Sequence, residues 1–169
     1  AFIRARAAAG DKALGTYFLK AIQPFIWRRS LDFGQIANIR TMSGQIRDHY
    51  HQGQELGPGY DLKRGRGGIR ECEFFAQAHQ LIHGGRDPVL RIADTRSALA
   101  LLAEAGRISG HEEAVLEEAY TLLRTVEHRL QMVNDAQTHA MPASPGGVAR
   151  IAAFCGQTEA DFRRDLLDR

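Results

Sequence analysis

The sequence predicts a mainly α-helical fold, with at most a short strand before one glycine-rich loop. Three observations predict it. Leu116, Ala119, Leu123, Val126, Leu130 and Val133 keep a 3, 4 spacing throughout, which is the apolar seam of a packed helix. Ser109 and Glu112 stand just ahead of that stretch in the Ser-x-x-Glu arrangement of a capping box. No alternating polar and apolar run of useful length argues for a sheet.

Taken in order, Ala1–Gly10 is rich in alanine and arginine and has no clear periodicity. Asp11 is placed to cap a helix running to about Arg29, which Pro24 should kink or split. Ile36, Ile39, Ser43, Ile46 and Tyr50 form one stripe of a second helix. Gly53–Gly59, with Pro58, reads as a loop. A helix from Ile69 to about His83 is apolar around most of its circumference, apart from a stripe of Arg70, Glu73, Gln77 and Gln80. Glu71 projects into the apolar arc, where a carboxylate needs either a bond to a neighbouring backbone or a direct ligand. Gly84 and Gly85 stop that helix, and Thr95 is the expected cap of a short one closed by Gly106. Beside the long seam runs a polar stripe of Tyr120, Arg124, Glu127, Gln131, Asn134 and Thr138. It is either a solvated shoulder or a polar wall of a cleft or domain contact. Ser144-Pro145 and Thr158 open the last two helices.

Composition narrows the class. A chain of 169 residues, 44% hydrophobic and 25% charged, can bury a substantial core. A net charge of +2 does not argue for nucleic acid as a partner. Cys72 and Cys155 are far apart and suggest neither a disulfide framework nor a metal site. No apolar run approaches the roughly 18 residues of a membrane span, and cytoplasmic residence is the expectation. The chain starts without methionine and stops within a helical pattern, so we expect an excised piece of a larger protein.

The densest chemistry lies in DLKRGRGGIRECEFF, Asp61–Phe75. Lys63, Arg64, Arg66 and Arg70 surround Gly65, Gly67 and Gly68, and a helix starts at once behind them. Glycines permit close backbone approach, and a helix N-terminus offers free N–H groups and partial positive charge. A phosphate fits such a loop, and a purely structural helix start fits it equally well. The loop is neither a P-loop, since Ile69 and Arg70 follow Gly68, nor a dinucleotide fingerprint. His79 and His83 are spaced as helical metal ligands can be, but lack the intervening Glu and a third ligand. No Ser or Cys has a base and orienter around it.

DLKRGRGGIRECEFF, the following AQAHQLIHGGRDPVLR, and LRTVEHRLQMVNDAQTHAMP together resemble the bifunctional glutamine synthetase adenylyltransferase/adenylyl-removing enzymes. GDKALGTYFLKAIQPFIWRRSLDFGQIANIR resembles them more loosely. Arg70-Glu71 looks like the adenylyl-removing half, and Cys72 departs from the aliphatic residue usual there. The resemblance implies an up-and-down helical bundle following a nucleotidyltransferase core. Residues 1–60 would link from that core, and 61–169 would carry the glycine loop and bundle, both in one compact unit. It implies removal of AMP from glutamine synthetase by phosphorolysis, with ATP or ADP and Mg²⁺ in the parent enzyme and PII as regulator. The acidic Gly-Ser-Asp-x-Asp-like motif of such enzymes is absent from the sequence, so this stretch is expected to hold no metal and to be inactive alone. Lys63, Gly65, Arg66, Gly67, Gly68, Arg70, Glu71 and Glu73 are the candidate phosphate or nucleotide contacts, and Arg124, Glu127, Gln131 and Asn134 the candidate polar wall. PII uridylyltransferases, with Gly-Gly-Leu-Arg-Asp at the matching place, and a docking module for glutamine synthetase or PII are the rival readings.

Overall fold

A computed structural model describes residues 2–31, 33–50 and 58–167. The side chains of Ile36, Ser43, Ile46, Tyr50 and Asn134, and residues 53–57 of the expected loop, lie outside what it describes. Among the described residues the fold is mainly α, as the periodicity predicts. Its helices are α1 (Lys12–Ile26), α2 (Phe33–Tyr50), α3 (Ile69–His83), α4 (Thr95–Glu104), α5 (Gly110–Asn134), α6 (Pro145–Phe154) and α7 (Glu159–Leu167). In place of a strand before the glycine loop there is one antiparallel bridge, Asp61 to Ala140. The chain divides into two compact units, Ala1–Met42 with Glu73–Glu113, and Ser43–Cys72 with Ala114–Arg169.

In the first unit, the Asp11 carboxylate accepts from the amides of Ala13 and Leu14, which caps α1. Pro24 does not split the helix. It sits two residues before the end, and the Trp27 amide closes the last turn on the Gln23 carbonyl at 2.8 Å. α4 is capped by Asp94, not Thr95: the Asp94 carboxylate accepts from the Ser97 amide at 2.8 Å, while Thr95 is buried as the first helical residue. Gln80, at the end of the stripe that begins at Arg70, is also buried. Its side-chain amide donates to the Leu90 and Ile92 carbonyls at 2.7 and 2.8 Å, tying down the turn after α3. Gly84 and Gly85 do stop α3, but for a packing reason. A Cβ on Gly85 would lie 1.8 Å from the Arg28 carbonyl oxygen, so the two backbones touch there.

The core of the second unit joins Tyr60, Leu62 and Ile69 to Leu123, Val126 and Leu130 of α5, Met141, Val148, Ile151 and Ala152, and Phe162 of α7. Burying each large member contributes up to about 1.5–3 kcal/mol. The predicted seam is buried from Ala119 to Leu130 and half-buried at Leu116 and Val133. The capping box forms ahead of it: the Glu112 carboxylate accepts from the Ser109 amide at 2.7 Å, and the Ser109 hydroxyl accepts from the Glu112 amide at 3.1 Å. Thr158 caps α7, accepting from the Asp161 amide at 3.1 Å.

Candidate functional site

The site is assembled in the second unit from a loop that satisfies its own backbone. The Asp61 carboxylate accepts from the amides of Lys63 and Arg64 at 2.9 and 3.0 Å, and its carbonyl accepts from Gly65 at 2.8 Å. Gly68 donates to the Gly65 carbonyl, Ile69 to Leu62 and Arg70 to Lys63. Gly67, at φ 74°, donates to the Glu71 carboxylate at 3.1 Å. Glu71 thus places its own negative charge at the start of α3, where the helix favours an anion. Gly65 has no room for a side chain, since a Cβ would lie 2.5 Å from the Tyr60 ring, and one on Gly68 would lie 2.7 Å from two carbonyl oxygens. The glycines therefore set the shape of the loop, and the amides of Gly65, Gly67 and Gly68 are engaged within it.

The Tyr60 hydroxyl donates to the Arg66 carbonyl. Burial, followed by the charges of Glu71 and Asp61, pushes its pKa up to about 12 from 10.0. A raised folded-state value means that this contribution to stability is fully present below pH 10 and is lost as pH rises towards about 12. Urea titrations across that window should show a falling midpoint that Tyr60→Phe largely removes. At neutral pH the variant should be about 1 kcal/mol less stable through the lost hydrogen bond. An unchanged alkaline decline in the variant would assign it to other groups.

The bridge at Asp61 closes the loop from outside. Leu62 donates to the His139 carbonyl at 2.9 Å, Met141 to Tyr60 at 2.8 Å and Gly59 to Met141 at 3.0 Å. This pairing sets His139 beside Lys63, their Nε2 and Nζ atoms 3.5 Å apart. Both approach Glu127 of α5, whose side chain is only 1% exposed. His139 Nδ1 lies 2.8 Å from Glu127 Oε1, without the alignment of a hydrogen bond, and Lys63 Nζ lies 3.9 Å from the same oxygen. Arg124, one turn earlier on α5, donates to Oε2. A buried carboxylate is thus met by three nitrogen-bearing side chains that remain 24–37% exposed.

The structure brings Lys63 of the loop together with Arg124 and Glu127 of the polar stripe, two groups that the sequence presents separately. At Glu127 the stripe is not a solvated shoulder. Arg66 and Arg70 are exposed. Glu73 belongs to the first unit and pairs with Arg4 at 3.0 Å. Gln131 donates to the Thr138 carbonyl at 3.5 Å. His139 is the participant that sequence reasoning missed: it lies in a non-helical segment after α5, where no periodicity marks it. Among the described residues no three His, Cys, Asp or Glu side chains gather to hold a metal. His79 and His83 lie with rings stacked at 6.0 Å, and burial holds both imidazoles below their usual pKa.

Fold and site together define a helical domain with a basic, self-capped glycine loop clasped against a buried carboxylate. The family model described as GlnD PII-uridylyltransferase matches residues 37–168, and the chain belongs to that family. It is also 49% identical over 98% of its length to the bifunctional glutamine synthetase adenylyltransferase/adenylyl-removing enzyme of Rhizobium meliloti. The enzymes of the same name from Bradyrhizobium diazoefficiens and Caulobacter vibrioides are 48% identical over 99% of the chain and 50% identical over 93%. The chain spans only 16–17% of the length of these relatives. No helix among the described residues is long and apolar enough to cross a membrane.

Proposed function

We propose that the chain is the helical domain of the adenylyl-removing half of a bifunctional glutamine synthetase adenylyltransferase/adenylyl-removing enzyme. The observation that carries this reading is identity of about half the residues to enzymes of that name along nearly the whole chain. In this role the domain works with a nucleotidyltransferase core that supplies Mg²⁺ and binds ATP or ADP. The reaction releases AMP from modified glutamine synthetase by phosphorolysis, forming ADP, in the cytoplasm and under PII control. Lys63, Arg66 and Arg70 line the phosphate-bearing side of the cleft through their side chains, because the amides of Gly67 and Gly68 are already engaged within the loop.

The family model's own description supports a second reading, in which the partner is PII and the transferred group is UMP. Purified full-length protein distinguishes the two. Phosphate-dependent release of ADP from adenylylated glutamine synthetase is the expected result, and uridylylation of PII without that release would replace the first reading by the second. In the same assay Arg66→Ala and Arg70→Ala should each raise the phosphate requirement by roughly tenfold or more, the value of about one charge-assisted hydrogen bond. Unchanged phosphate dependence at both positions would remove these two arginines from the phosphate contacts and leave Lys63 as the loop's remaining candidate.

A further inference from the structure

We infer that Lys63, Arg124 and His139, gathered on the buried carboxylate of Glu127, form a receptor for a single phosphate group. This deepens the reading above by specifying where on the domain the phosphate is held, and it rests on that reading only in taking phosphate as the anion. Charge is the first reason. Lys63 and Arg124 carry two positive charges against the one negative charge of Glu127, leaving a surplus before His139 is counted. Geometry is the second. Lys63 Nζ is 3.9 Å from the carboxylate, outside hydrogen-bonding distance, and 3.5 Å from His139 Nε2, so the carboxylate does not consume its protons. Arg124 spends one terminal nitrogen on Glu127, and its other lies 3.2 Å from His128 Nε2. A planar guanidinium with five donors has others to offer.

Exposure is the third reason. The carboxylate is 1% exposed, whereas Arg124, Lys63 and His139 are 37%, 28% and 24% exposed. Glu127 therefore stands behind the donors and holds them in place, a positioning role, while their outer sides face solvent. The donors come from three parts of the chain, the glycine loop, α5 and the segment after it. Converging donors of this kind suit the several oxygens of a tetrahedral anion, and the surplus of Lys63 and Arg124 over Glu127 suits a single phosphate. Free phosphate and the terminal phosphate of a nucleotide present the same chemistry.

The experiment is equilibrium binding by calorimetry on the full-length protein, with inorganic phosphate and ADP as separate probes. Lys63→Ala and Arg124→Ala should each weaken phosphate binding by roughly ten- to a hundredfold. Lys63→Arg should retain most of it, and Arg150→Ala, an exposed basic change elsewhere in the same unit, should remain within about twofold. His139→Gln should weaken binding less than either cation. If ADP binding falls in parallel, the site takes a nucleotide's phosphate; if only inorganic phosphate is affected, it takes the free anion. Circular dichroism checks folding, and Lys63→Gln and Arg124→Gln replace any alanine variant that unfolds. Folded variants at both positions that bind phosphate within about twofold of the parent would overturn the inference and make the cluster a structural clasp. So would a parent protein that fails to bind phosphate at about 10 mM, weaker than about 3 kcal/mol of binding. A protein that binds phosphate through these residues yet releases no ADP would sink the proposed reaction and leave the receptor standing.

Discussion

Glu127→Ala should destabilise the second unit by about 2–3 kcal/mol, the largest effect of any single polar substitution there. The side chain is almost completely buried, and three nitrogen-bearing groups converge on it. Removing the carboxylate leaves Lys63 and Arg124 repelling each other at a site built around their common counter-charge. Breaking a fully buried pair costs about 3–5 kcal/mol, but these partners are 24–37% exposed and regain some hydration, which lowers the figure. Glu127→Gln keeps the volume and one acceptor, so it should cost less than alanine. Urea denaturation of the three proteins checks the order parent, Gln, Ala. An alanine variant within about 0.5 kcal/mol of the parent would show that the cluster contributes nothing measurable to folding.

Gly85→Ala should be worse, costing about 3 kcal/mol or more and disturbing the first unit locally. The added methyl would meet the Arg28 carbonyl oxygen at 1.8 Å and its carbonyl carbon at 2.4 Å. Both are backbone atoms, so no rotamer change relieves the clash. Separating the segments also pulls on the Arg86 guanidinium, which donates to the Arg29 carbonyl at 2.9 Å, and on Arg91, which donates to Gly84 at 2.7 Å. Trp27 is the only tryptophan, is buried, and has the Arg91 guanidinium 5.8 Å from its ring centre. A red shift of its fluorescence is the expected signature, accompanied by a lower melting temperature. Gly110→Ala is the control: nothing lies within 4 Å of the added methyl at the first residue of α5, and the change should be neutral or slightly stabilising. Equal behaviour of the two variants would remove the close approach at Gly85 as an explanation for the glycine.

The helices were legible because their signals are local. Asp11 and the Ser109–Glu112 pair announce helix starts within four residues, and the α5 seam repeats often enough to fix which face is buried. Thr95 misled because Asp94, one residue earlier, offers a carboxylate that reaches the Ser97 amide, while the Thr95 hydroxyl instead accepts from Arg4, far away in the chain. The glycine loop was legible as chemistry but ambiguous in use, since residue types do not reveal that Glu71 takes up the Gly67 amide. Glu127 borders the apolar seam, and helical spacing alone cannot separate a residue at the edge of water from one covered by another segment. Beyond its own helix its neighbours are Lys63 and His139, which the pairing of Tyr60–Leu62 with His139–Met141 brings together, a contact between segments that share no periodicity.

That pairing also bears on how the chain is made. Leu62 leaves the ribosome well before His139, whose carbonyl receives its amide hydrogen. At about 5–20 residues per second the delay is on the order of 4–15 s. Throughout that time the nascent loop can form its own turn on Asp61, but Lys63 lacks both Glu127 and His139, and Tyr60, Leu62 and Ile69 lack the core they enter. The newborn segment therefore presents apolar residues beside a cluster of positive charge until the far end of α5 and the segment beyond it have emerged.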